Sequence, residues 1–177
     1  MTLEEWNGRY RSGEELDREP ASQLVAAASD LPPGRALDLA CGAGRNAIWL
    51  ERRGWNVVAI DGASEAIRIV GERAPAIDAR VLDLETNAPL PFDDESFDLV
   101  AVLFFLHRPL FPEAKRLVRR GGIVVAAMRT CGINPSYCVA SGELAKHFRD
   151  FELLHEHEDE VAEIVARKPG SLVDIQP

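Results

Sequence analysis

Asp38-Leu39-Ala40-Cys41-Gly42-Ala43-Gly44 is the stretch that decides the fold. It closes a short apolar run, Arg35-Ala36-Leu37-Asp38-Leu39-Ala40, and leads into an amphipathic one, Asn46-Ala47-Ile48-Trp49-Leu50-Glu51-Arg52-Arg53. A strand, a glycine turn and a helix in that order make a nucleotide-type cofactor site. Residues without a bulky side chain let the backbone turn sharply and approach a ligand closely. Asp38, inside the strand end, adds a sign: it suits a ligand end carrying positive charge and would repel a pyrophosphate.

Working outward, Gly54 stops the first helix, and Trp55 to Ile60 reads as a buried strand by its β-branched content. Asp61-Gly62-Ala63-Ser64 is a turn. A helix with Ile67 and Val70 on its inner face then runs to about Ala74, where Pro75 breaks it. A third strand, Ile77 to Leu82, ends at Asp83. After a Pro-rich acidic loop, Phe97 to Phe105 is the most apolar run and reads as a central strand buried on both faces. A helix over 110–119, ended by Gly121-Gly122, precedes a fifth strand, Ile123 to Met128. Residues 130–140 are irregular and Gly142 to Phe148 is a short helix. Phe151 to His157 and Val161 to Lys168 lie too close together for a crossover, so they pair as an antiparallel hairpin. On the amino-terminal side, Glu19-Pro20-Ala21-Ser22 opens a helix carrying Leu24, Val25 and Ala28; residues 1–18 are polar, with isolated aromatics Trp6 and Tyr10. The alternation predicts an α/β fold, Rossmann-like and doubly wound, mostly parallel with a C-terminal antiparallel hairpin.

The 177 residues suffice for one domain: an N-terminal cap segment and helix over 1–30, and a core over 31–177. A net charge of -9 without a Lys/Arg stripe argues against a nucleic-acid partner and an anionic membrane surface. Arg116, Arg119 and Arg120 cluster at the end of the expected helix, where they would complement its dipole. Cys41, Cys131 and Cys138 are an odd set with no paired spacing, which fits a reducing compartment better than a disulfide framework. No apolar run is long enough for a membrane span, and the polar, acidic N-terminus is no signal peptide, so the expectation is a cytoplasmic protein.

Gly42-Ala43-Gly44-Arg45-Asn46-Ala47 also fits the dinucleotide pattern, with Asp61 about 20 residues on, where a ribose-binding acid belongs. That pattern alone does not separate a nicotinamide site from another adenosine-cofactor site. For Asp61 the structural alternative is a helix N-cap. Three features break the tie: Asp38 before the glycines, Asp83 followed by Leu84 at the third strand end, and the closing hairpin.

On those residues the chain resembles the class I S-adenosylmethionine-dependent methyltransferases. Asp38 to Gly44 resembles their acidic-then-glycine motif. Asp61, Asp83-Leu84 and Pro91-Phe92-Asp93-Asp94-Glu95-Ser96-Phe97-Asp98-Leu99-Val100 match later motifs in order. More narrowly, Trp6, Arg9-Tyr10, Arg18-Glu19-Pro20, Gly44-Arg45-Asn46-Ala47 and Leu106-His107-Arg108-Pro109 are similar to the small tellurite-resistance-type methyltransferases. The resemblance implies strand order 3-2-1-4-5-7-6 and S-adenosylmethionine as cofactor, with S-adenosylhomocysteine as product. In those roles Asp61 would hold the ribose hydroxyls, and Asp83 and Leu84 would read adenine. Ala40, Gly42 and Gly44 would let the backbone approach the methionine part. The Leu103 backbone would accept from the ammonium, with Asp38 near the same charge, and Arg18 would pair the carboxylate or stand as a surface charge at the helix start. Asn46 would join this set or merely shape the helix start. Two departures stand out: Ala40 replaces the first motif glycine, with only a slight restriction expected, and Gly62 replaces the larger residue usual after the ribose acid.

No nucleophile–base pair stands out as catalytic. Substrate-side candidates are His107, Arg108, Tyr10, Asn134 and Tyr137, each with a packing or solvated alternative. His155 and His157 share a strand face without further ligands nearby, so no metal is expected. The acceptor is expected to be a small molecule, and the protein a monomer or homodimer. The rival readings are a nicotinamide-dependent oxidoreductase and a non-catalytic S-adenosylmethionine-binding protein.

Overall fold

A computed structural model of the chain describes residues 1–13, 18–86, 88–131 and 138–170. It divides into two compact units, Met1–Asn87 and Ala88–Pro177.

In the first unit, α1 (Leu3–Ser12) precedes α2 (Ser22–Ala28), β1 (Arg35–Leu39), α3 (Arg45–Glu51), β2 (Asn56–Asp61), α4 (Ser64–Arg73) and β3 (Asp78–Val81). β1 and β2 pair in parallel, with Asp38 opposite Ala59 and Leu39 opposite Ile60, and β2 pairs in parallel with β3. The β-branched, apolar composition of β1 and β2 suits burial on both faces: Leu37, Leu39 and Ile60 are fully enclosed. Burying each such side chain contributes roughly 1.5–3 kcal/mol. The inner face of α4 is Ala66, Ile69 and Val70, and the expected Ile67 lies at its margin.

The helix α1 corrects the reading of residues 1–18 as merely polar. Thr2 caps it in a reciprocal box with Glu5: the Glu5 amide donates to the Thr2 hydroxyl at 3.2 Å and the Thr2 amide to the Glu5 carboxylate at 2.6 Å. Gly13, at φ 81, ends it. Tyr10 of α1 packs with Ala43, Ala63, Ala66 and Ile69, and Trp6 stacks beside it. Helix α4 has no side-chain cap of its own; Asn7 of α1 supplies one, its Oδ1 accepting from the Glu65 amide at 2.9 Å.

In the second unit, β4 (Phe97–Leu103), α5 (Leu110–Leu117), β5 (Val118–Arg129), α6 (Glu143–His147), β6 (Glu152–Glu158) and β7 (Val161–Arg167) follow. β4 pairs in parallel with β5, while β5–β7 and β7–β6 are antiparallel. The seven strands take the order β3-β2-β1-β4-β5-β7-β6, the expected one. β6 is an outer strand with every residue exposed, three of its seven being glutamates.

Three sequence expectations fail here. The helix stops at Leu117 and the strand begins at Val118, so Gly121-Gly122 lies inside β5. A Cβ on Gly122 would stand 2.7 Å from the Asp98 carbonyl, and this close approach accompanies the register shift between Phe97 and Leu99. Second, only Arg116 of the three arginines lies in the last turn of α5; Arg119 and Arg120 fall in β5. Arg116 pairs with Glu113 and Asp94, Arg119 with Asp98, and Arg120 with Glu95. Lys168 adds a further cation at the end of α5, its ammonium donating to the Lys115 and Val118 carbonyls at 2.8 and 2.9 Å. Third, Cys131 and Cys138 form a disulfide, and Cys41 is the free thiol. The Cα atoms of the bonded pair lie 5.0 Å apart, beside a parallel bridge between Thr130 and Val139 in which the Cys131 amide donates to the Val139 carbonyl at 3.0 Å. Their spacing in the chain carried no sign of that tertiary pairing.

Candidate functional site

The turn after β1 is built from left-handed backbone. Ala40, Gly42 and Gly44 have φ of 58, 55 and 84. At Gly44, which caps α3, a Cβ would stand 2.7 Å from Val70 Cγ2, so conformation and packing both demand glycine. At Gly42 the corresponding position lies 2.9 Å from the Tyr10 hydroxyl. Ala40 has no such exemption: a left-handed alanine costs about 1–2 kcal/mol. The restriction expected to be slight is therefore real strain.

Asp38 and Asn46 are the buried polar side chains of the described core, 1% and 4% exposed. Asn46 Oδ1 accepts from the Ala21 amide at 2.9 Å, and Arg45 reaches the Glu19 carbonyl at 3.4 Å. The start of α3 thus holds the segment that carries Arg18. Asp38 is different, because its Oδ2 has no hydrogen-bond partner among the described residues. Burial pushes its carboxyl up to about 7, while nearby Arg45 opposes the rise, Asp61 adds to it and a bond from the Ala47 amide opposes it. A buried carboxylate with an unused oxygen is expensive unless a cation meets it.

Asp61 ends β2. Its Oδ2 accepts from the Gly42 amide at 2.9 Å and its Oδ1 from the Ala63 amide at 2.8 Å. Burial raises its carboxyl above the usual range, and the amides of Ala63, Gly42 and Gly62 oppose that rise. Each carboxylate oxygen can accept again, so the two amide bonds leave room for two hydroxyl donors. Gly62 lies against α1: a Cβ there would stand 2.8 Å from Leu3 Cδ2. After β3, Asp83 is exposed and accepts from the Glu85 amide at 2.9 Å, and Leu84 is buried. Cys41 is buried beside these acids, which together with burial push its thiol up.

With that geometry in place, comparison with known proteins is decisive. The family described as a methyltransferase domain matches residues 37–126. The chain belongs to the methyltransferase-domain family. It is similar to a probable S-adenosyl-L-methionine-dependent methyltransferase, TehB, of Haemophilus influenzae: 28% identical over 149 residues, covering 77% of this chain and 52% of that protein. A demethylmenaquinone methyltransferase of Clavibacter sepedonicus is 41% identical over 97 residues, 51% of this chain and 39% of that one. The chain thus spans about half the length or less of these curated relatives. The crystal structure of the Haemophilus influenzae TehB superposes with a TM-score of 0.77 at 22% identity, over 92% of this chain and 67% of that one. Methyltransferases of this family and fold use S-adenosylmethionine and yield S-adenosylhomocysteine.

The other positions expected in a methyltransferase site divide by unit. Leu103 ends β4 and is buried. His107 follows, with a buried Nε2 that has no partner among the described residues. Arg108 is partly exposed and also ion-paired: it grips Glu143 bidentately, Nε to Oε1 at 2.5 Å and Nη2 to Oε2 at 3.0 Å, and reaches the Cys138 carbonyl at 3.3 Å. Tyr10 belongs to the first unit and is 8% exposed, its ring in the α1 cluster and its hydroxyl against Gly42. Asn134 and Tyr137 lie outside the described residues. Among the described residues no group of three or more His, Cys, Asp or Glu is placed to hold a metal, and no helix is long and apolar enough to cross a membrane.

Sequence reading missed Phe104. It has φ 61 and is 44% exposed, directly after buried Leu103. Nothing in the local sequence marks it, because left-handed positions are expected at glycine or asparagine.

Proposed function

We propose that the protein transfers the methyl group of S-adenosylmethionine to a small-molecule acceptor by in-line displacement. The observation that carries this reading is the unpartnered oxygen of Asp38, buried next to the glycine turn. An ammonium is the group that a buried, half-used carboxylate accepts. The residues present therefore fit the amino-acid end of that cofactor. They do not fit a pyrophosphate, which would add negative charge to Asp38 and Asp61.

In this reading Asp61 receives the ribose hydroxyls on the lone pairs that Gly42 and Ala63 leave, and Asp83 with Leu84 reads adenine. The left-handed turn of Ala40, Gly42 and Gly44 brings its backbone alongside the methionine part. Asn46 positions the Arg18 segment toward the carboxylate. S-adenosylmethionine, when bound, supplies an electrophilic methyl on a sulfonium. The chain's own contribution is alignment and electrostatics, and good alignment can supply about 7–11 kcal/mol.

A small acceptor is supported by the likeness to a demethylmenaquinone methyltransferase. The Cys131–Cys138 pairing withdraws the cysteine-spacing argument for a reducing, cytoplasmic compartment. Calorimetric titration with S-adenosylmethionine and with NADH tests the donor. Equal affinity for both, or binding unaffected by Asp61→Ala, would defeat the assignment. Release of S-adenosylhomocysteine over an acceptor panel tests turnover.

A further inference from the structure

Helix α1 meets the rest of its unit along one face. Leu3, Asn7 and Tyr10 are spaced so that they share one stripe of the helix. Tyr10 packs with Ala43 and Ala63, its hydroxyl 2.9 Å from where a Cβ on Gly42 would stand. Asn7 accepts from the Glu65 amide at the start of α4. Leu3 lies over Gly62, its Cδ2 2.8 Å from the position of a Cβ there. The three contacts fall on the two loops that Asp61 ties together through the Gly42 and Ala63 amides. All of these residues belong to the first unit.

The stripe is not closed along its whole length. Tyr10 is 8% exposed, but Leu3 is 46% exposed. Leu3 follows the capping Thr2 directly and precedes Glu4 and Glu5, in a first turn where acidic residues suit the helix dipole. Neither capping nor the dipole calls for leucine there, and nearly half of its surface gains nothing from packing. Its neighbour is what sets it apart. Gly62 lies outside the left-handed region, so the backbone does not demand glycine; the Leu3 side chain leaves no room for anything larger. The space beside Asp61, at the carboxyl end of β2, is thus filled by methyl groups brought from α1. Ligands of doubly wound sheets bind at that end of the strands.

Resting on the reading of Asp61 as the ribose acid, we infer that Leu3 is an apolar wall of the nucleoside end of the cofactor site. It stands where a side chain at position 62 would otherwise stand. The ligand that fits carries a flat base on a ribose: the hydroxyls go to Asp61, and the base covers the methyls that α1 leaves open. Helix α1 is then a working part of the site, and nucleoside binding buries apolar surface supplied from far along the chain.

The test titrates the full chain calorimetrically with S-adenosylhomocysteine and, by competition against it, with 5′-methylthioadenosine, which keeps the nucleoside and lacks the amino-acid end. Leu3→Ala should weaken both by the same factor, about three- to tenfold, the worth of covering the open half of a leucine. Its heat-capacity change of binding should become less negative, because less apolar surface is covered. Leu3→Met should stay within about twofold of wild type. Leu3→Ala affinities within twofold of wild type, or a loss confined to S-adenosylhomocysteine, overturn the inference. So does a heat-capacity change that stays the same or grows more negative, which would assign Leu3 to anchoring α1 alone. Failure of wild type to bind S-adenosylmethionine or S-adenosylhomocysteine at all instead overturns the methyltransferase reading.

Discussion

Asp61 at the end of β2 reaches back 19 residues to accept the Gly42 amide at 2.9 Å. The acid and the glycine turn are therefore one structural unit, and neither can move without the other. Asp61→Asn keeps a similar shape but loses charge and one acceptor oxygen. Affinity for S-adenosylmethionine should fall about 10–100-fold, the worth of one charge-assisted bond. Calorimetry checks this, and an unchanged affinity contradicts the ribose role.

Asp38 makes cofactor affinity depend on pH. Its folded carboxyl sits near 7, against an ordinary 3.8, so between these values the folded protein holds a proton that the unfolded chain has released. Stability should therefore fall as pH rises from about 4 to 7, the sign expected of a raised carboxyl. Binding of a cationic ligand works the other way, because it favours the ionised form. Affinity should rise as pH rises toward 7, by up to about tenfold per unit, with proton release on binding. Titrations in buffers of different ionisation enthalpy measure that release. In Asp38→Asn both the release and the slope should vanish.

Ala40 offers a stabilising change. Glycine removes the left-handed penalty of about 1–2 kcal/mol and adds about 0.4–1 kcal/mol of unfolded-chain entropy. Ala40→Gly should therefore gain up to about 1 kcal/mol in chemical denaturation. A clear loss would mean that the methyl group packs against something essential.

The Cys131–Cys138 bond predicts a thiol count. Denatured but unreduced protein should alkylate at Cys41 alone, and reduced protein at all three cysteines. Opening so short a loop should lower stability by about 2–3 kcal/mol in the chain-entropy picture. Three reactive thiols in protein handled under oxidising conditions would be the contrary result.

What the sequence revealed was mostly local. Asp38, the glycines and Asp61 lie within one strand–turn–helix–strand passage, where spacing alone fixes geometry, and the central strands announce themselves by unbroken apolar runs. What it concealed depends on residues brought together from afar. The pairing of Arg108 with Glu143 spans 35 positions, and the disulfide joins cysteines whose Cα atoms the fold brings to 5.0 Å. Lys168 joins Arg116 at the end of α5 because β7 returns beside β5. Helix α1 was a missed opportunity of another kind: Thr2 and Glu5 spelled its capping box, but a helix that buries only Tyr10 shows little apolar periodicity. Phe104 was beyond reach, since a backbone angle forced by tertiary context leaves no trace in residue type.

The outer strand β6 has an implication for how this chain behaves in crowded solution. An open strand edge invites a second copy to zip against it. In the centred antiparallel register, Glu152 of one copy would face Glu158 of the other, and Leu154 would face Glu156. Like charges set opposite one another repel across a ladder. The hairpin thus carries its own defence against fibrous self-association.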